Sequence, residues 1–250
     1  MLLSTVKEGN KGIKFKRLVL RPNTHFVYGG DTVDKGPGDI RLVRALVSLK
    51  KRYPDRVHLL VGNRDLNKLR LTSELSESDM KRDIKDIPKP FWDRGAKSLK
   101  EYLEEVKLGK DGPMGDNVTA VNLDELNSKA ERLRYMLRHT LGCPETFDFR
   151  REEIQILTQI FGQYPPRLLE THDFTPLGDL GNEPSVFLVS EEDVVDSFLY
   201  EISKEGSLYQ YLKLSQVSVS HWPISNKLYV FCLIAHTQHQ YSSDRSNFRK

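Results

Sequence analysis

Apolar positions in the first third of the chain follow two different rhythms. Ile40, Val43, Leu46 and Val47 recur at helical spacing, which would bury one face of a helix over residues 39–52. Asp39 stands where an N-cap belongs. Tyr53-Pro54-Asp55 ends the segment, because proline disfavours helical geometry in the residue before it. Short β-branched and aromatic runs lie on either side, at residues 24–28 and 57–61, and read as strands. Strand, helix and strand within about 40 residues predict a right-handed crossover unit of a parallel sheet.

Upstream, residues 1–25 are basic and hold no strong strand before Leu18-Val19-Leu20. Downstream, from residue 66 to about 163, charge rises and apolar residues keep helical spacing. Segments 78–84, 91–106, 123–141 and 151–161 predict helices, punctuated by Pro88, Pro90, a glycine-rich stretch at 108–118 and Gly142-Cys143-Pro144. The stretch 108–118 is expected to be a mobile loop. Region 66–163 reads as a helical insertion or cap within a single domain spanning 1–250, closed by Tyr164-Pro165-Pro166. Residues 167–188 read as loop. A helix is expected from near Ser190 to about 204, with Glu191-Glu192-Asp193 in its first turn complementing the helix dipole. A short helix over 208–214 follows Gly206, and the last apolar strand is predicted at 227–234. Residues 238–250 are polar without periodicity and are expected to be a disordered tail.

Composition narrows the classes. No apolar run approaches the roughly 18 residues needed to span a bilayer, and the start, Met1-Leu2-Leu3-Ser4-Thr5-Val6-Lys7, lacks the apolar core of a signal peptide. The net charge of +3 is small, and the basic residues are scattered among nearly as many acids. Neither a membrane nor a nucleic-acid partner is therefore expected. Cys143 and Cys232 form no metal spacing or disulfide framework, which makes a reducing, cytoplasmic setting the expectation.

The chemistry concentrates where the two predicted strands end. Phe26-Val27-Tyr28 runs into Gly29-Gly30-Asp31-Thr32-Val33-Asp34-Lys35-Gly36, and the second strand ends in Gly62-Asn63-Arg64-Asp65. A parallel unit sets Asp31 and Asn63 side by side at the carboxyl ends of neighbouring strands, where α/β sheets hold ligands. Two hard oxygen donors so placed suit a metal ion, and a metal beside phosphate suits phosphoester hydrolysis. The plainer reading makes both of them turn residues.

Gly-Asp-x-x-Asp-x-Gly and Gly-Asn-x-Asp, about 30 residues apart, resemble the calcineurin-like metallophosphoesterase superfamily, which includes the Ser/Thr protein phosphatases and diadenosine-tetraphosphatase-like enzymes. The resemblance is strong over residues 24–65 and an outline elsewhere. It implies an α/β fold, a metallophosphoesterase-like β-sandwich flanked by helices, with the helical insertion added. It implies Asp31 as a carboxylate bridging two metal ions, Asn63 as a ligand of the second, and Mn, Fe or Zn as the divalent ions. His236, in Ala235-His236-Thr237-Gln238, and His221 become candidate ligands from the carboxyl-terminal end, with His236 incidental if Phe231-Cys232 occupies the family's His-Gly position. Lys35 stands where the family often has a phosphate-contacting Arg, and supplies charge without a bidentate fork. Asp34 is expected to brace the loop by accepting backbone hydrogen bonds.

Two departures weaken the implied activity. Arg64 occupies the slot where the family carries a His, and a guanidinium cannot be a general acid near neutral pH. It can clamp phosphate, with Asp65 orienting it. The family's opening Asp-x-His motif has no counterpart, since no Asp precedes Asp31. Relative to the family both ends read as cut, as in a truncated or a degenerate member. The expectation is thus a metal-dependent phosphoester hydrolase acting on a phosphoprotein or nucleotide, weak or inactive as this chain stands and possessed of one metal site at most. The alternatives are a degenerate phosphatase-like domain that binds a partner and, more distantly, a polyphosphate or nucleic-acid binder using Lys35 and Arg64.

Overall fold

The computed structural model describes residues 2–8, 14–90, 93–111, 122–161, 175–177 and 188–215. All of them belong to one compact unit, residues 1–216. The predicted strand at 227–234, the tail at 238–250, most of the stretch 108–118, and His221 and His236 lie outside the described residues.

The parallel unit forms as its apolar rhythm demands. Strand β3 (Phe26–Tyr28) pairs in parallel with β4 (Val57–Leu59), Val27 opposite His58, and helix α1 (Asp39–Arg52) connects them. The buried face of α1 is Ile40, Val43, Leu46, Val47 and Leu49. Its last turn carries Lys50, Lys51 and Arg52, where positive charge complements the dipole. Asp39 is the first helical residue and not the cap: Gly38 takes that position and offers no side chain. The orphan N–H groups of Ile40 and Arg41 are met instead by Glu153, 3.0 Å away in each case.

The basic amino-terminal stretch is more ordered than its composition suggests. β1 (Leu2–Glu8) and β2 (Lys14–Leu20) form an antiparallel ladder, and β5 (Thr175–Leu177), within the segment read as loop, adds to β2. The molecule is mixed α/β and mostly helical. Its described strands make one three-stranded antiparallel and one two-stranded parallel sheet, so the expected sandwich is not seen among the described residues.

The expected helical region is broken by its own capping residues. After α2 (Asn63–Asn67) and a 3₁₀ turn, α3 (Leu71–Glu74) and α4 (Glu77–Met80) are single turns. Helix α5 begins at Leu99 and not near 91, because Ser98 and Glu101 cap each other reciprocally. Ser128 starts α7 (Lys129–Tyr135) and divides it from α6 (Leu123–Leu126). Helix α8 (Thr146–Phe161) starts earlier than expected, two residues after Pro144. The last helices, α9 (Glu191–Glu201) and α10 (Ser207–Leu214), fall where the sequence places them. Leu46, Leu49, Val57 and Leu59 of the parallel unit share one apolar cluster with Leu103, Leu133, Phe147, Phe198 and Tyr211 of these helices.

Candidate functional site

The loops leaving β3 and β4 interlock through two glycines. A Cβ on Gly30 would fall on the backbone nitrogen of Gly62 and 2.8 Å from its Cα; a Cβ on Gly62 would fall on Asp31. Only hydrogen fits between the two strand ends, which brings Asp31 next to the segment carrying Asn63. Gly30 (φ +90°), Asp31 (φ +55°) and Asp34 (φ +80°) all take left-handed backbone. Asp tolerates that region better than most residues, because its short polar side chain bonds locally.

Asp65 holds this turn from beneath. It is fully buried and accepts four hydrogen bonds: from the N–H of Asp31 (3.0 Å), Thr32 (2.8 Å) and Gly62 (2.8 Å), and from the Thr32 hydroxyl (2.6 Å). An ionised carboxylate has about four acceptor positions, so Asp65 is spent on the backbone and does not orient Arg64. The bracing role expected of Asp34 belongs to Asp65.

Asp34 instead accepts from side chains. Lys68, 1 % exposed, donates from Nζ at 2.6 Å to Asp34 Oδ2, and Arg64 Nη1 lies 3.4 Å from the same oxygen. The Asp34 N–H donates to Asp39 Oδ2 at 3.2 Å. Arg150 approaches the same Asp39 oxygen at 3.6 Å. Burial raises the Asp39 carboxyl to about 6, with Arg150 opposing and the nearby Glu153 reinforcing the rise. Burial also pushes the Cys143 thiol up to about 11, although Lys68 beside it works in the other direction. The Tyr211 hydroxyl donates to the Leu60 carbonyl and ties α10 to the end of β4. Tyr28, below the loop, is raised by burial and then by the charges of Asp65, Asp31 and Asp39.

The outer side of the same loops faces solvent. Asn63 and Lys35 are exposed, and Asp31 is half-buried. Asp31 Oδ1 accepts the Arg64 N–H at 3.1 Å, which leaves Oδ2 directed to no described donor. The structure therefore brings Asp31, Asn63 and Arg64 into one loop pair, with Lys35 on the first loop. Lys68, Asp39, Arg150 and Glu153 were not singled out from sequence as part of it. Lys68 follows Arg64 by four residues, the helical spacing that lets both reach one acceptor.

For a divalent ion, Asp31 and Asn63 offer two oxygens, fewer than a hard cation takes. Among the described residues no group of three His, Cys, Asp or Glu side chains stands together in a way that could hold one. The described donors alone do not complete a metal centre. No described helix is long and apolar enough to cross a membrane.

Over 44 residues the chain is 43% identical to a PP2A-like serine/threonine-protein phosphatase of Saccharomyces cerevisiae, covering 18% of this chain and 12% of that one. The chain thus spans far less than two thirds of this relative's length. No protein-family model and no solved structure matches. The likeness hints at phosphatase ancestry for part of the chain.

Proposed function

We propose that this chain carries a phosphoester hydrolase site of the protein-phosphatase type, acting on a phosphoprotein or nucleotide, with weak or absent turnover as the chain stands. The observation that carries the reading is the glycine-interlocked loop pair, which presents Asp31 and Asn63 at the carboxyl ends of two parallel strands. The short likeness to a serine/threonine-protein phosphatase supports it. Asp31 and Asn63 would supply oxygen donors to a divalent ion (Mn, Fe or Zn), and such an ion would supply Lewis-acid chemistry to a phosphoryl group. Lys35 and Arg64 contribute positive charge for the phosphate. Arg64 is already drawn toward Asp34 and cannot give up a proton. The leaving group therefore receives no proton from this position, a loss of about 10²–10⁴-fold that bears least on aryl phosphates.

One observation favours the second reading, a phosphatase-like domain kept for binding. Asp65, which the family pairs with its acid, is consumed in holding the backbone. Hydrolysis of p-nitrophenyl phosphate under Mn²⁺ titration separates the two. The hydrolase reading expects slow, metal-saturable turnover that falls at least about tenfold in Asp31→Asn. Turnover indifferent to that substitution contradicts the site. Saturable phosphate binding without turnover selects the binding domain.

A further inference from the structure

The opposite end of the same two strands carries a pair of histidines that the phosphoester reading does not use. Register pairs Val27 with His58, and strand alternation puts His25, Val27 and His58 on one face. Phe26, Tyr28, Val57 and Leu59 form the other face, against the core. His25 is exposed, Val27 is 39% exposed, and His58 is half-buried beside them.

His25 Nδ1 and His58 Nε2 lie 3.3 Å apart. Their ring planes differ by 9° and their centroids stand 5.6 Å apart, so the two nitrogens meet head-on from nearly parallel rings. This separation has a second meaning. Two imidazole nitrogens bound to one tetrahedral ion at about 2.0–2.1 Å are themselves about 3.3 Å apart. We propose that His25 and His58 form a bidentate site for a late transition-metal ion of the Zn²⁺, Ni²⁺ or Cu²⁺ class, clipping the amino ends of β3 and β4 together.

Imidazole nitrogen suits these ions and not Mg²⁺ or Ca²⁺. The ligand form is neutral imidazole. With both rings in that form, binding releases no proton. Whichever facing nitrogen carries hydrogen passes it to the other nitrogen of its own ring, and both facing lone pairs turn by about 35° toward the ion. No third His, Cys, Asp or Glu joins the pair among the described residues; an ion held by these two ligands alone would complete its shell with water and exchange readily.

The site is independent of the phosphoester loops, and the test keeps the two apart. The full chain is titrated with Ni²⁺ by calorimetry, and its thermal unfolding is followed with and without the ion. The same is done for His25→Gln, His58→Gln and Asp31→Asn. The proposal expects Asp31→Asn to keep the two-nitrogen site, whatever it loses at the phosphoester loops. Either histidine substitution should weaken the tightest site about tenfold or more, since a chelate loses its second arm. A metal-dependent rise in Tm of about 5 °C at saturating ion should vanish with it. Cu²⁺ in the wild type should show electron-resonance splitting from two nitrogens, and from one in each variant. Affinity within twofold of wild type in both histidine variants, or binding lost only in Asp31→Asn, overturns the proposal.

Discussion

The inner and outer layers of the loop pair are built from the same kinds of residue and put them to opposite use. On the inside, Asp65 is saturated by three backbone N–H groups and a hydroxyl, and Asp34 is locked to Lys68. On the outside, Asp31 keeps one oxygen without a described donor, and Asn63 and Lys35 face solvent. The difference is one of solvation. A buried carboxylate is tolerated when donors or a paired cation compensate it. Asp65 is met by four donors, while Asp34, whose Oδ1 has no hydrogen-bond partner among the described residues, leans on the charge of Lys68. The inner acids are thus committed to holding shape. The outer groups remain hydrated and free to exchange water for a ligand. Within one short motif, position relative to the backbone decides which Asp does which.

This division can be broken from the inside. Lys68→Met leaves Asp34 buried with only the 3.4 Å approach of Arg64, and the expected loss in denaturant unfolding is about 3–5 kcal/mol. Adding Asp34→Asn should restore much of it. Without such restoration, the pair is not the cause.

Asp39 sharpens the comparison through pH. Its folded-state carboxyl, raised from 3.8 to about 6, holds a proton that the unfolded chain has already lost between about pH 4 and 6. Its contribution to stability is full below that window and is lost as pH rises through it, up to about 3 kcal/mol in all. Asp39→Asn should flatten this part of the stability–pH curve; an unchanged slope places the titration elsewhere. Asp65→Asn keeps the shape of the side chain but turns an amide donor toward backbone donors, and should cost about 2 kcal/mol. At the small end, Lys35→Ala and Asn63→Ala on the exposed layer should move stability by no more than about 0.5 kcal/mol. A larger change would mean that the outer layer also holds the fold.

The parallel unit was readable because its signals are local. Helix 39–52 is set by the spacing of Ile40, Val43, Leu46 and Val47 and by Pro54, and both strands flank it as expected. The inner layer was not readable, because its partners are distant in sequence. Glu153 caps α1 from 113 residues away, and Tyr211 reaches the Leu60 carbonyl across 151. Such pairings leave no periodicity. Some misses did have a local sign: Ser98-x-x-Glu101 is a capping box that marks the true start of α5. The hairpin of β1 and β2 lay hidden because lysines interrupt its apolar run.

The central claim is that Asp31 serves phosphoester chemistry while Asp65 serves the fold, and one paired measurement tests it. Asn takes left-handed backbone well and can still accept the Arg64 N–H, so Asp31→Asn should leave the unfolding midpoint within error while metal-dependent p-nitrophenyl phosphate turnover, or phosphate binding where turnover is absent, drops about tenfold or more. Asp65→Asn should lower the midpoint. A destabilised Asp31→Asn, or one that hydrolyses and binds as the wild type does, would contradict the account.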